Sequence, residues 1–216
     1  MPRRFREDQH MPTRLLLASL ALLCSCTGAD HMDPGAIHIK GWVSIDAGWL
    51  EQIVCLQGTR DHEALVVTNV QPSAVHAMLL YMGHESGRPG FWERTDGTLY
   101  RIPPTGDAIE VLVQVGDQPP VPIRQWVRGP DGQSLPASAW VFSGSNFMQR
   151  GDIERYEADQ SGSLVGLVTF GDETIAWSDL ISHRAVEQTI EWEANTGSMP
   201  PPGTEVTLIF KRPAAR

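Results

Sequence analysis

Four side chains in the segment 55–76 are the candidates for metal binding or thiol chemistry. They are Cys55, His62, Glu63 and His76. Thiolate, imidazole and carboxylate groups are the usual protein ligands of zinc and similar divalent metals. These residue types therefore predict either a metal site, with a divalent metal such as zinc as the cofactor, or a thiol-redox site built on Cys55.

The segment around these residues predicts two strands joined by a turn. Apolar runs at 53–56 and 64–67 have the length of strands, and the intervening Gly-Thr-Arg-Asp sequence is typical of a hairpin turn. A four-residue turn places His62 diagonally across from Cys55 on one face, and a five-residue turn pairs Cys55 with Glu63. Either register brings one candidate ligand within reach of the thiol.

A helix follows this unit and carries the fourth candidate ligand. Pro72 suits the first turn of a helix, four apolar residues recur at helical spacing from Val75 to Met82, and Gly83 suits the position after the helix. The pattern predicts a helix over about 72–82. His76 lies one position away from its apolar stripe, so it either reaches back toward the sheet or borders the core.

A structural role competes with the metal or thiol hypothesis, and other catalytic patterns are weak. Cysteine in an apolar strand is often a small buried hydrophobe, and in that case His62 and Glu63 are polar residues beside a turn. Ser143 and Ser145 lie in a Ser-Gly-Ser sequence that lacks the second glycine of a nucleophile elbow. No phosphate-binding glycine loop, HExxH, CxxC or EF-hand motif is present. The sequence thus favours a protein that is not an enzyme, and it predicts no catalytic residue.

The N-terminus has the layout of an export signal. Several arginines precede an unbroken apolar run at 15–23, which is far shorter than the roughly 20 residues that cross a bilayer. Cys26 follows the small Ser25, whereas Cys24 follows the bulky Leu23. The sequence therefore resembles a lipobox in which Cys26 is lipidated and becomes the new N-terminus.

Two alternatives accompany the lipoprotein interpretation. Ordinary signal-peptidase cleavage near Ala29 would release a soluble periplasmic protein. Translation could start at Met1 or at Met11, and the later start gives a more compact basic region before the apolar run. The preferred division has a lipoprotein signal peptide at 1–25, a tether at 26–36 and a single globular domain at 37–212.

Composition restricts the partners of the exported domain. Without the four arginines and two acidic residues of the signal, 13 basic and 24 acidic residues remain, which gives a net charge near −11. Such a charge disfavours nucleic acid and anionic lipid as partners. Cys55 is the one thiol left beside the lipidated Cys26, so no internal disulfide can form and an iron–sulfur cluster held by cysteines is excluded.

The rest of the chain predicts an α+β fold. Short apolar or alternating runs separated by Gly, Pro and Asp predict strands at 37–45, 99–102, 108–115, 123–127, 140–142, 164–170, 189–193 and 205–210. With one clear helix, this pattern predicts a single domain dominated by antiparallel β-sheet, with the helix at about 72–82 packed on it. The Gly- and Pro-rich segment 84–106 is expected to be a long surface loop with Trp92 as an exposed anchor.

A series of ordered motifs resembles the YdjY-type family of exported bacterial proteins. The motifs span nearly all of the predicted domain: Glu51-Gln-Ile-Val-Cys55, Gly58-Thr-Arg-Asp-His-Glu-Ala64, His76 with Met78-Leu-Leu-Tyr-Met-Gly83, Gly87-Arg-Pro89, Trp140-Val-Phe-Ser-Gly-Ser145, Tyr156-Glu-Ala-Asp159, Asn195-Thr196 and Pro200-Pro-Pro-Gly-Thr204-Glu-Val206. The resemblance implies export and one domain, and it implies no particular reaction. The family's motif positions include the cysteine, the His-Glu pair and the helix histidine singled out above.

Together these observations predict a lipoprotein of the cell membrane or the outer membrane, with its domain facing the periplasm or the exterior. The lipid anchor makes the membrane one partner. An envelope protein or a small ligand is expected as the other, bound through the 84–106 segment, and no nucleic acid is expected. A metal-binding or thiol-redox protein that uses the Cys/His/Glu site is the alternative.

Overall fold

The computed structural model describes the chain at 29–33, 35–129, 132–135, 140–182 and 192–214. The predicted signal peptide at 1–25 and the predicted lipidation site Cys26 lie outside the described residues. No helix within the described ranges is long and apolar enough to cross a membrane.

Strands are the main element of the structure. Along the described residues the strands are β1 (Ala29–Asp33), β2 (Ala36–Val43), β3 (Gln52–Leu56), β4 (Ala64–Thr68), β5 (Ser86–Arg88), β6 (Phe91–Thr95), β7 (Thr98–Ile102), β8 (Thr105–Gly106), β9 (Ala108–Gln114), β10 (Val121–Pro122), β11 (Val127–Arg128), β12 (Trp140–Val141), β13 (Phe147–Arg150), β14 (Ile153–Tyr156), β15 (Ser163–Gly166), β16 (Ile175–Trp177), β17 (Glu193–Ala194) and β18 (Glu205–Lys211). The α-helices are α1 (Pro72–Tyr81) and α2 (Glu157–Ser161), and 3-10 helices span Asp61–Glu63, Ile123–Trp126 and Thr196–Ser198.

Eight of these strands form a closed barrel. Going round the barrel, the order is β2, β18, β9, β12, β16, β15, β3 and β4, and β4 pairs with β2 to close it. The two junctions β15–β16 and β3–β4 are parallel, and the others are antiparallel. β1 adds to the free edge of β2, so residues 29–33 of the predicted tether pair with the barrel.

The predicted α+β class is therefore wrong. Strands account for 45% of the residues and helices for 16%, and the sheet closes on itself to form a β-barrel instead of lying open under a packed helix. The helix predicted at about 72–82 is present as α1, and its buried Pro72, Val75 and Leu79 face the interior. Closure changes the class because pairing between β2 and β4 removes the open sheet edges that a layered α+β fold keeps.

A glycine permits the close approach of strands where the barrel closes. A Cβ atom at Gly41 of β2 would lie 2.7 Å from Val66 Cγ1 and 3.0 Å from the Val67 carbonyl oxygen on β4. Real Cβ atoms essentially never come so near. A side chain at this position would push the two strands apart at the seam.

The barrel interior is the hydrophobic core of the domain. Alternate residues of the long strands point inward and are fully or almost fully buried: Ile37, Ile39 and Val43 of β2, Val206, Leu208 and Phe210 of β18, and Ile109, Val111 and Val113 of β9. The period of two along each strand places one face inside the barrel. These long strands follow the alternation that the sequence predicts.

The predicted hairpin between 53–56 and 64–67 is wrong. Both strands exist, as β3 and β4, but they run parallel, with Gln52 beside Ala64 and Leu56 beside Thr68. The chain returns through the turn at Gly58 and the 3-10 helix Asp61–Glu63, instead of reversing directly into the second strand. The Asp61 carboxylate accepts hydrogen bonds from the backbone N–H groups of Gly58 and Thr59 at 2.9 and 3.2 Å, which holds this return turn.

The 84–106 segment is not a structureless loop. Within it β6 and β7 form a hairpin, paired from Phe91 with Ile102 to Thr95 with Thr98. β5 and β8 pair with each other at its base. Neither β6 nor β7 pairs with a barrel strand in the described part of the chain, so the hairpin lies outside the barrel.

Candidate functional site

Cys55 lies in a dry environment on β3. Its side chain is fully buried and packs with Ala64, Val67 and the partly buried Trp42. Burial raises the pKa of the Cys55 thiol to about 11. Because the thiolate is the form that binds metals and attacks disulfides, this environment opposes both predicted reactions.

His62 and Glu63 do not reach the thiol. The parallel register places Val67 beside Cys55, at the position that a hairpin with a five-residue turn would have given to Glu63. The His62 side chain is 81% exposed, and its Nε2 lies 3.7 Å from Glu63 Oε2. The wrong strand direction explains why the predicted pair of ligands is not formed.

His76 is held in a separate cluster on α1. Its Nδ1 lies 2.9 Å from the Tyr156 hydroxyl, and that hydroxyl lies 3.0 Å from Thr174 Oγ1. The His76 ring also meets the edge of Phe142 at a centroid distance of 4.9 Å. Burial lowers the pKa of His76 and raises the pKa of Tyr156, so both are neutral at pH 7 and act as hydrogen-bonding partners.

The four predicted ligands are therefore not gathered into one site. Among the described residues, no group of three or more His, Cys, Asp or Glu side chains could hold a metal ion. Cys55 packs against apolar side chains, with Asp61 Oδ1 3.9 Å from its sulfur. His76 contacts aromatic rings, the Tyr156 hydroxyl and the Gly144 backbone. The geometry gives the metal or thiol alternative no support.

Sequence reasoning missed a carboxyl pair next to this region. Burial, followed by the nearby charge of Glu63, raises the pKa of Glu51 to about 7. The nearby Arg60 guanidinium stacks over the Phe170 ring at 3.9 Å and lies 3.6 Å from the Asp172 carboxylate. The signal was present as acidic residues flanking β3, but only the parallel return of the chain brings Glu63 back to Glu51.

The two serines of the Ser-Gly-Ser sequence are occupied by backbone contacts. Ser143 Oγ donates to the Glu173 carbonyl at 2.7 Å, and Ser145 Oγ donates to the Asp172 carbonyl at 2.6 Å. Both residues are buried. Among the residues that the structure describes, neither hydroxyl contacts a base that could activate it as a nucleophile.

The hairpin of β6 and β7 presents aromatic side chains on one face. Residues 91, 93 and 95 pair with 102, 100 and 98, and therefore share a face. On this outer face the exposed fractions of Phe91 and Tyr100 are 41% and 50%. The outer face of the hairpin is defined here as Phe91, Glu93, Tyr100 and Ile102.

The opposite face of the hairpin is turned toward the protein. Arg101 Nη2 donates a hydrogen bond to the Leu180 carbonyl, and the Arg101 guanidinium lies 5.4 Å from the Trp92 ring centroid. Trp92 is half-buried, and its indole nitrogen is shielded from solvent. Trp92, predicted as an exposed anchor, is thus partly buried, and the exposed aromatic positions are its neighbours on the outer face.

Comparison with known proteins gives a family and no solved or curated relative. The sequence matches the family model of the YdjY domain over residues 35–211. No curated protein and no solved structure matches the chain.

Proposed function

The chain belongs to the YdjY domain family, and a hairpin with exposed aromatic side chains lies outside its barrel. We propose that it is an exported lipoprotein that binds a partner protein at the cell envelope. The outer face of the hairpin is the contact surface. The observation that carries the proposal is the exposure of Phe91 and Tyr100 on a hairpin whose other face is hydrogen-bonded to the Leu180 carbonyl.

The composition of this face suits a protein contact. Aromatic residues and arginine are enriched where protein partners meet. Aromatic side chains bury a large contact area there at little cost in conformational entropy. Arg88 lies over the Phe91 ring at 5.6 Å, which adds a cation at the border of the aromatic surface. An uncharged or acidic partner surface would complement it.

The proposed anchor rests on the N-terminal sequence. Cys26 follows a short apolar run and a small residue, which is the arrangement that lipoprotein processing recognises. Lipid chains on Cys26 would place the domain at the cell membrane or the outer membrane, facing the periplasm or the exterior. The acidic domain would then stay off the anionic membrane surface.

The contact surface is tested by cross-linking in cells of the native bacterium. The full-length chain carries a photoreactive p-benzoylphenylalanine in place of Tyr100, and the matched control carries it in place of Ile153. Ile153 is similarly exposed, at 57%, but lies on the other hairpin. We expect illumination to give one discrete adduct from position 100 and none from position 153.

A second pair of variants ties the adduct to the outer face. Phe91→Ser in the position-100 protein should reduce the adduct at least fivefold, and Ile153→Ser should leave it unchanged. The absence of an adduct at position 100, or equal adducts at both positions, would show that this hairpin is not the contact surface.

The anchor is tested separately with the two neighbouring cysteines. Cys26→Ser should release the protein from the membrane fraction and remove the lipid mass from its N-terminal peptide. Cys24→Ser should change neither, because Cys24 leaves with the signal. Membrane retention of the Cys26→Ser protein would instead favour another mode of attachment, and release of the Cys24→Ser protein alone would place the lipid on Cys24.

A further inference from the structure

A cavity of about 390 Å³ opens at one end of the barrel. It lies where β9 ends and β18 begins, since Gln114 of β9 pairs with Thr207 of β18 there. The lining includes Val113 and Val115 from β9 and its extension, together with Gln125 and Trp126 of the 3-10 helix Ile123–Trp126. Barrel mouths are frequent sites of small-molecule binding, and this volume is at the lower end of the range for such sites.

The floor of the cavity is apolar, and polar side chains lie around its opening. Trp126 and Val113 are almost fully buried in the core, and Val115, Val121 and Met199 pack against it. No side chain of the lining is charged, in a chain whose net charge is −9. A charged ligand would find no counter-charge among the lining side chains, so the lining favours an uncharged molecule.

Three polar groups on the rim are available to a ligand. The side-chain amides of Gln118 and Gln125 make no hydrogen bond with any described residue. Ser198 Oγ accepts a hydrogen bond from Asn195 Nδ2 at 2.8 Å, which leaves its own proton free to be donated. A ligand with an amide, carbonyl or hydroxyl group can therefore be oriented at the rim while its apolar part enters the cavity.

The rim is fixed before any ligand arrives. The backbone N–H of Asn195 donates to the Trp126 carbonyl at 2.8 Å, and its side-chain amide donates to the Gln125 carbonyl at 3.1 Å. Thr196 Oγ1 donates to the Asp46 carbonyl at 2.6 Å. These bonds join the two 3-10 helices on either side of the opening, so binding needs little ordering of the protein.

We propose that this cavity binds a small uncharged molecule with an apolar body and an amide or hydroxyl group. The site is separate from the outer face of the hairpin, and it adds a ligand to the protein contact proposed above. The ligand enters with its apolar part against Trp126 and Met199, and its polar group meets Gln118, Gln125 or Ser198.

The charge preference is tested with benzamide and benzoate, which share one shape and differ in charge. The full domain is labelled with ¹³C at its methionine methyl groups, and Met199→Leu identifies the Met199 resonance. We expect benzamide to shift this resonance saturably, with a dissociation constant of roughly 1 mM for so small a probe. Benzoate should bind at least tenfold more weakly.

A blocking variant locates the binding within the cavity. A Cβ at Gly197, on the rim, would meet no atom within 4 Å, so Gly197→Phe can add a ring over the opening without disturbing the backbone. Gly35 is equally open, and Gly35→Phe is the matched control. We expect Gly197→Phe to abolish the benzamide shift and Gly35→Phe to preserve it.

Several results would overturn the proposal. They are the absence of a saturable shift with benzamide, equal binding of benzoate, or an unchanged shift in a folded Gly197→Phe protein. The hairpin variants Phe91→Ser and Ile153→Ser serve as a further check, since both should bind benzamide like the unmodified domain. The ligand site and the protein contact can therefore fail independently.

Discussion

The two hairpins that lie outside the barrel differ in what holds them. The hairpin of β13 and β14 is bonded at both ends. At its start, Asn146 Nδ2 donates to the Gly171 carbonyl at 2.7 Å, and at its end the Tyr156 hydroxyl joins His76 and Thr174. Tyr156 is only 6% exposed. This hairpin is part of the framework that joins α1 to the barrel.

The hairpin of β6 and β7 is held on one face only. Its described hydrogen bond to the body runs from Arg101 to the Leu180 carbonyl, and the Arg101 guanidinium over Trp92 is a contact within the hairpin. A Cβ at Gly90, just before the hairpin, would lie 2.9 Å from the Leu180 side chain, so its base sits close against the same residue. The aromatic residues of the other face contribute to the surface instead of the core.

The difference shows how one supersecondary element serves two purposes. A buried tyrosine hydroxyl with two partners stabilises the fold, because both partners would otherwise be polar groups without a hydrogen bond. An exposed tyrosine of the same element stabilises little, and it remains available to another molecule. Mutations in the two hairpins should therefore separate stability from binding.

The largest expected effect on stability comes from truncating Tyr156, and the same change at Tyr100 is its comparison. Tyr156→Ala should lower the free energy of unfolding by about 3–5 kcal/mol, because a buried ring and a hydrogen-bonded hydroxyl are lost together. Tyr100→Ala should lower it by less than about 0.5 kcal/mol. Urea unfolding of the two variants, followed by circular dichroism, checks the contrast. Comparable losses would mean that β6 and β7 are as integral to the fold as β13 and β14.

A second prediction concerns the loop at 170–174, whose Gly171 carbonyl accepts the hydrogen bond from Asn146 at the start of β13. Glu173 of this loop is 1% exposed, and its carboxylate accepts hydrogen bonds from the backbone N–H groups of Phe170 and Gly171. Burial, and next the charge of Asp172, raise the pKa of Glu173 from 4.5 to about 7. Between pH 4.5 and pH 7 the folded protein thus keeps a proton that the unfolded chain has lost.

The sign of the pH dependence follows from this proton. The contribution of Glu173 to stability is fully present below pH 4.5 and decreases as the pH rises through 7, by roughly 3 kcal/mol at most. In Glu173→Gln this decrease should be absent, while the contributions of Glu51 and the histidines are common to both proteins. Urea unfolding from pH 4.5 to 8 measures the difference. Glu154→Gln, at an exposed position of β14, is the control and should parallel the unmodified protein.

The sequence predicts individual elements where one face of a strand or helix is buried. The alternation from Ile37 to Val43, and the helical spacing from Val75 to Leu79, correspond to β2 and α1 because each element has one side in the core. The predicted strand at 123–127 is wrong over most of its length. Ile123 and Trp126 are buried at a spacing of three, which suits the 3-10 helix found there.

The closure of the barrel could not be predicted in the same way. It depends on the pairing of Trp42 and Val43 with Val67 and Val66, and the periodicity of a strand carries no information about its neighbour. The same lack of information about neighbouring strands explains why the predicted metal ligands are not brought together. Cys55 and Glu63 are close in sequence, but their spacing does not reveal that β3 and β4 run parallel. The parallel direction puts an apolar side chain beside the thiol.

The smallest expected effect is at the point where the β6–β7 hairpin meets the body. Arg101→Met keeps much of the apolar stem of the side chain but removes the hydrogen bond to Leu180 and the cation over Trp92. We expect a loss of about 1 kcal/mol, confined to this hairpin, because no barrel strand pairs with it in the described structure. Hydrogen exchange should become about fivefold faster at the cross-strand amides of residues 91–102, and it should stay unchanged in β13 and β14.

Arg94→Met alters an exposed arginine of the same hairpin, whose bond to the Gly97 carbonyl is local, and it should leave exchange at the hairpin base unchanged. If Arg101→Met accelerated exchange throughout the barrel as well, the hairpin would be a cooperative part of the fold, and its outer face would be less free to adapt to a partner than the comparison indicates.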